Sequence, residues 1–341
     1  MPNAKHRPLI VPIFIPHLGC PHQCIFCQQK TITSQSDPKI NKQEIVKILE
    51  TAINSPKFHA NRNPQVAFYG GTFTNLSLGL MEKLLDEVSP YIKKGFFNAI
   101  RVSTRPDTLD SERLEMMKYY GVRTVELGTQ SMDDNVLRLS KRGHSADDTV
   151  NAVHQLQHFG FKVGIQLMPG LPGDSNKIFK TTVTKILQLK PDMVRLYPAL
   201  VIKGTKLAQL YLENKYKPLE LKEAVETCIE SCIRFEAQNI PVIRIGLMSS
   251  PDLLEKGAVL AGPWHPSFGF LVRSGLYRNS ITPLLPESGV LSKITISVQS
   301  KEESLLRGHQ NSGIQWIEQQ TGAKDIKIEA DDNIPFGIIR F

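Results

Sequence analysis

Three cysteines stand close together near the start of the chain, in the run Cys20-Pro-His-Gln-Cys24-Ile-Phe-Cys27. Thiolates are soft ligands, and several on one loop suit an iron–sulfur cluster or zinc. A cubane cluster holds four irons and most such clusters take four cysteines, so three would leave one iron without a protein ligand. An open coordination position is where a metal centre takes up a reactant. A structural zinc site instead wants four closed ligands, commonly in paired CxxC spacings. His17 or His22 could supply a fourth ligand, so these residues alone also admit zinc. The other two cysteines, Cys228 and Cys232, share a helical stripe with Val225, Ile229 and Ile233 and read as core thiols. Five cysteines in a chain of 341 residues do not suggest a disulfide framework.

Polar residues with chemistry to offer recur downstream, each just after an apolar, β-branched run. Strands are expected over 9–15, 66–69, 99–103, 122–127, 161–168, 193–197 and 242–247. Helical periodicity fills the gaps, with capping boxes at Asn41/Glu44 and Ser145/Asp148 and a long helix over about 219–237. Repeated strand–helix units imply a parallel sheet covered by helices, either doubly wound or a complete or partial (β/α) barrel. Chemistry then gathers at the C-terminal ends of the strands. The cysteine loop, Gly70-Gly71, residues 103–106 and Gln130 all fall there and converge on one face.

The spacing of three residues and then two, with Phe26 before the last cysteine, resembles the CxxxCxxC signature of radical S-adenosylmethionine (SAM) enzymes. The resemblance implies a partial TIM-like barrel over residues 1–250 and a [4Fe–4S] cluster on Cys20, Cys24 and Cys27. It implies that SAM chelates the open iron through its amine and carboxylate, with Phe26 near the adenine. Gly70-Gly71-Thr72 stands where the family has a "GGE"-like motif that binds the SAM amine; with Thr72 for Glu, backbone carbonyls would do most of that work. "IRVSTRPDTL" (residues 100–109), "ELGTQS" (126–131), "KRGH" (141–144) and "LYPALVIKGTKL" (196–207) are similar to segments of the subgroup that holds the radical SAM subunit of Elongator and oxygen-independent coproporphyrinogen oxidase. By that resemblance Gln130 would bond the SAM ribose and Arg142 its carboxylate, as their donors suit. Ser103 stands where relatives often carry an acidic ribose ligand. The implied reaction is one-electron cleavage of SAM to methionine and a 5′-deoxyadenosyl radical. An electron donor of ferredoxin or flavodoxin type is implied with it.

Candidates for substrate contact lie at later strand ends. Arg195 and Tyr197 follow the sixth strand, Lys203 and Thr205 the next loop, Arg244 the last strand, and Trp264-His265 a Gly/Pro-rich loop. Packing and ion pairing at the barrel mouth is the plainer reading of each. After about residue 250 the composition changes. A strand over 294–298, a helix over 314–320 and a strand over 326–328 suggest a small α/β appendage over 251–341. Some ninety residues are too few for the acetyltransferase domain of the Elongator subunit, so its full reaction is not expected. Gly308 and Gly313 are too far apart for the GxxG loop of a KH RNA-binding module.

The formal charge of +8 suits an anionic partner such as tRNA, or simply a basic surface. No apolar run is long enough to span a membrane. Lys5, His6 and Arg7 before an apolar stretch and Cys20 imitate a secretory or lipoprotein signal. Pro8, Pro12 and Pro16 interrupt that stretch, and no small-residue cleavage site follows, so a buried strand and a cytoplasmic protein are expected. Three functions stay open on these residues: a radical SAM enzyme acting on RNA, one acting on a small molecule such as a tetrapyrrole, and a non-catalytic RNA-binding protein with a structural metal.

Overall fold

The computed structural model describes residues 8–21, 23–34 and 41–341; His22 and the basic triplet Lys5, His6 and Arg7 lie outside them. Seven strands form one parallel sheet in chain order: β1 (Ile10–Phe14), β2 (Gln65–Tyr69), β3 (Ala99–Thr104), β4 (Val122–Gln130), β5 (Lys162–Leu167), β6 (Met193–Leu196) and, last, β8 (Val242–Ile245). The short β7 (Val201–Ile202) leaves that order to pair antiparallel with β9 (Val259–Ala261). Helices α1 (Gln29–Thr33) to α9 (Leu221–Ala237) occupy the crossovers. Between them come α2 (Lys42–Ile53), α3 (Leu78–Lys93), α4 (Ser111–Tyr119), α5 (Asp134–Leu139), α6 (Ala146–His158), α7 (Asn176–Leu189) and α8 (Lys206–Leu212). Both expected capping boxes form: Asn41 with Glu44 starts α2, and Ser145 with Asp148 starts α6.

The sheet curls, and a side-chain contact across it proves the curl. Adjacent strands lie about 4.8 Å apart, so a flat sheet would hold β2 and β6 roughly 19 Å apart. Arg195 Nη2 on β6 nevertheless donates to the Tyr69 hydroxyl on β2 at 2.7 Å. These side chains therefore lie inside a half-barrel. The alternation of each strand fits this. Val66, Phe68, Ile100, Val102, Val125, Leu127, Val163, Ile165, Val194 and Leu196 belong to one buried core with the helices. Tyr69, Arg101, Glu126, Gln166 and Arg195 take the opposite, inner positions. The outer positions are thus apolar, and the inner ones carry the sheet's polar and charged side chains among smaller apolar residues.

Beyond the sheet come α10 (Pro251–Leu254) and α11 (Phe268–Ile281), then β10 (Lys293–Val298), α12 (Ser300–Arg307), α13 (Ser312–Thr321) and β11 (Asp325–Ala330). β10 and β11 pair in parallel and bury Ile294, Ile296, Val298 and Ile328 against α12 and α13 in a second core. Helix α11 serves both cores: Phe268, Val272 and Leu276 belong to the first, Tyr277 and Ile281 to the second.

Candidate active site

The loop after β1 folds over the end of β2. Ile15 N donates to Tyr69 O, His17 N to Gly70 O at 2.9 Å, and Thr72 N to Leu18 O at 2.8 Å. Asn75 Nδ2 closes the contact on Gly19 O at 2.7 Å. Glycine is required on both sides of this seam. Gly19 lies at φ +72°, and a Cβ there would strike the Thr72 carbonyl. A Cβ on Gly71 would stand 2.7 Å from Ile15 O and strike Leu18 O as well. Backbone cannot step aside as a flexible side chain can, so only glycine lets the two loops approach this closely.

Each cysteine sulfur in the seam has its own polar neighbour. Cys20 Sγ meets Thr72 Oγ1 at 3.4 Å, Cys24 Sγ accepts from Arg142 Nη1 at 3.0 Å, and Cys27 Sγ accepts from Gln29 Nε2 at 3.5 Å. Cys24, Ile25 and Phe26 are buried with Val136, Leu171, Ala199 and Leu207, which wall the loop on one flank. Burial raises the Cys20 thiol and pushes Cys27 up to about 12, so bound metal must displace protons there. His17 turns Nε2 to the backbone N–H of Gln29 at 3.3 Å. Among the described residues no group of three or more His, Cys, Asp or Glu converges on a single-ion position.

The neighbouring strand ends carry the remaining candidates. Gly70 lies at φ +92° and Thr72 is buried. Gln130 is buried at φ +69°, an uncommon region for a residue with a side chain and one that tends to mark functional sites. Its backbone carbonyl accepts from Met168 N, and its Oε1 accepts from Gln166 Nε2 at 3.3 Å. Arg142 Nη2 donates to Gly128 O while Nη1 reaches Cys24, so one guanidinium ties the end of β4 to the cysteine loop. Ser103 pairs in register with Glu126 on the inner face and is half-buried. Cys20, Cys24, Cys27, Gly70, Gly71, Thr72 and Arg142 are thus joined through one seam, with Phe26 in its wall, and Gln130 ends the strand β4 that Arg142 ties to it.

Below the seam lies a charge network in which Arg195 and Tyr197, expected at the barrel mouth, meet Tyr69, Arg101 and Glu126. Glu126 is 5% exposed. It accepts from Arg101 Nη1 at 2.7 Å and from the Tyr69 hydroxyl at 2.8 Å, and pairs with Arg195 Nε at 2.8 Å. Arg195 also lies over the Tyr69 ring and donates to the Tyr197 hydroxyl at 3.2 Å. Arg101 continues to Gln65 Oε1 at 3.1 Å. Burial, then the charge of Glu126, raises the Tyr69 phenol well above its ordinary value, so it stays protonated. Arg195 and Tyr197 are therefore lumen residues. His265 is placed elsewhere: its ring meets His309 edge-on at 4.8 Å, and its Nδ1 accepts from Ser267 N. The sequence held a signal for part of the network, a lone charged residue inside an apolar strand at Arg101 and at Arg195, whereas Glu126 shares its strand with Arg123.

Residues 14–186 match the Radical SAM superfamily, and residues 191–278 match the Radical_SAM C-terminal domain. The chain belongs to the radical SAM superfamily. It is an enzyme of that superfamily and is homologous to the Elongator protein 3 group. The tRNA uridine(34) acetyltransferase of Methanocaldococcus infernus is 42% identical over 132 residues, which are 38% of this chain and 24% of that protein. Elongator complex protein 3 of Homo sapiens is 24% identical over 280 residues, 66% of this chain and 50% of that protein. The chain thus spans between about a quarter and a half of the length of these relatives. The structure of Methanocaldococcus infernus Elp3 with an N-terminal deletion aligns with a TM-score of 0.61 at 24% identity, covering 80% of this chain and 63% of that one, and shows the shared fold. Radical SAM enzymes use a [4Fe–4S] cluster and SAM, and they need an electron donor. The seam fits such a cluster: three thiols on one loop, a hydrogen-bonding neighbour for each, and glycines that admit close backbone approach. Among the described residues no helix is long and apolar enough to cross a membrane.

Proposed function

We propose that this enzyme cleaves SAM reductively and uses the resulting radical to modify RNA, with tRNA as the substrate class. The observation that carries the reading is the seam, where the cysteine loop docks through glycine contacts onto Gly70-Gly71-Thr72 at the mouth of the half-barrel. Cys20, Cys24 and Cys27 hold the cluster, which when bound supplies one electron to the sulfonium of SAM. The backbone at Gly70 and Gly71, with Thr72, receives the amine. Gln130, held at positive φ, and Ser103 face the ribose; Arg142 serves the carboxylate; Phe26 packs near the adenine. The buried flank of the loop keeps water from the reacting centre. Ferredoxin or flavodoxin is the class of donor. The names of two relatives, which specify uridine 34 of tRNA, support RNA as substrate. Charge supports the barrel as the RNA-facing part, since residues 282–341 carry six Lys and Arg against eight Asp and Glu while the chain as a whole is +8.

The test is anaerobic reconstitution with iron and sulfide, then SAM and dithionite, and assay of 5′-deoxyadenosine with and without tRNA. Wild type is expected to form it, and Cys24→Ala to fall to background. A cluster verified by its spectrum that yields no 5′-deoxyadenosine under either condition overturns the reading. Formation that tRNA leaves unchanged, with a metabolite fraction raising it, would favour a small-molecule substrate.

A further inference from the structure

The pairing of β6 with β8 breaks the simple alternation of a strand, and the break aims a charge. Val194 pairs with Val242, and both sit in the outer core. Uninterrupted alternation from Val242 would send Arg244 outward and Ile245 into the lumen. The register instead shifts, so that Leu196 pairs with Ile245 and Arg195 with Arg244. Leu196 and Ile245 both belong to the outer core, so Arg244 shares the inner face with Arg195. Irregularities of this kind recur beside active sites, where they re-aim a side chain.

The charges on that face do not balance. Arg101, Arg195 and Arg244 bring three guanidiniums, and Glu126 is the one carboxylate on the described inner positions of the seven strands. Arg101 and Arg195 share it. Arg244 is exposed, and among the described residues its guanidinium makes one bond, from Nε to Gly246 O at 3.3 Å. That bond draws the side chain toward the mouth, the direction in which Tyr197 follows Arg195. The Tyr197 oxygen accepts from Arg195, and its own proton has no acceptor among the described residues. Unspent guanidinium N–H groups and a phenol O–H, backed by the partly buried guanidinium of Arg195, suit an oxyanion.

We propose that Arg244 and Tyr197, with the charge of Arg195 behind them, form an oxyanion subsite in the lumen that binds a phosphate or carboxylate of the substrate. Its use as a substrate anchor rests on the radical SAM reading; the binding of the anion does not. The test titrates inorganic phosphate, and separately acetate, into the cluster-loaded full chain without SAM at constant ionic strength, with chloride as control and calorimetry as readout. Wild type is expected to bind one or both more tightly than chloride. Arg244→Gln should weaken that binding about tenfold, the worth of a hydrogen bond to a charged group, with partial recovery in Arg244→Lys. Tyr197→Phe should weaken it several-fold, and it carries the comparison if Arg244→Gln does not fold. Preference for phosphate assigns a phosphate-bearing substrate, and preference for acetate assigns an acid. Binding no tighter than chloride, or unchanged in both variants, overturns the subsite. Loss of SAM cleavage with intact anion binding would overturn the function instead and leave the subsite standing.

Discussion

His144 closes the "KRGH" run and is 6% exposed. Its Nε2 lies 3.2 Å from the carbonyl of Thr129, so that nitrogen carries a proton and donates, bracing the backbone just before Gln130. Burial, then the nearby Arg142 and Arg105, lowers its pKa to about 3. The native state therefore binds fewer protons than the unfolded chain between about pH 3 and the usual histidine value of about 6.5. Stability from this site is fully present above that window and is lost as pH falls through it. Over two pH units the loss is on the order of 2 kcal/mol. In His144→Gln the amide keeps a donor for Thr129 and cannot titrate, so its stability should fall less between pH 6.5 and 4.5. Urea unfolding at several pH values checks this, and parallel curves for the two proteins would count against it. The cysteines and glycines that meet in the seam could be picked out in the sequence by residue type and spacing. The conformations could not. That Gly71 is needed against two carbonyls, or that Gln130 sits at positive φ, depends on how loops distant in sequence meet.

At the scale of the elements, strands and most helices could be read because each has a long apolar period and clear turn residues. Helix α9 runs Leu221–Ala237 where the pattern placed about 219–237. The β7/β9 ribbon and α11 were not legible: β7 has two residues, and α11 starts inside a run of Gly, Pro and aromatics with little amphipathic periodicity. The inner face was legible only in part. A lone arginine in an apolar strand marks something unusual, but only curling of the sheet brings Arg195 on β6 to the Tyr69 hydroxyl on β2, beside the carboxylate of Glu126. That convergence has an energetic consequence. Glu126 compensates two guanidiniums whose side chains are 4% and 18% exposed. Removing one partner of a buried ion pair leaves charge uncompensated, at a cost of about 3–5 kcal/mol. Glu126→Gln is expected to lose stability on that scale, measured by chemical denaturation, although glutamine is nearly the same size. A loss below about 1 kcal/mol would mean that water screens the network and that the lumen is wetter than the packing implies.

At the scale of the whole molecule, the appendage is bound to the barrel by a helix rather than a linker. One helix, α11, places Val272 and Leu276 in the first core and Tyr277 and Ile281 in the second, all 7% exposed or less. Ser274 Oγ adds a bond to Leu305 O, and close packing continues where Gly275 faces Ile229. A helix cannot lose its second half without exposing groups that hold the first, so the two cores should unfold together. The chain carries its own probes for this. Its two tryptophans fall on opposite sides: Trp264 packs with Leu200, Ile202 and Leu253 at the barrel mouth, and Trp316 packs in the second core. Trp316→Phe leaves the barrel reporter alone, and Trp264→Phe leaves the appendage reporter. Their urea midpoints by fluorescence should coincide. Ile281→Ala, fully buried in the second core, should cost about 2–5 kcal/mol and lower the midpoint seen by Trp264 as much as that seen by Trp316. Separate midpoints, or a shift confined to Trp316, would mean that α11 frays at the junction and that the appendage moves independently of the mouth it flanks. Coincident midpoints would make the appendage part of the wall against which a substrate is held, fixed to the lumen through a single continuous helix.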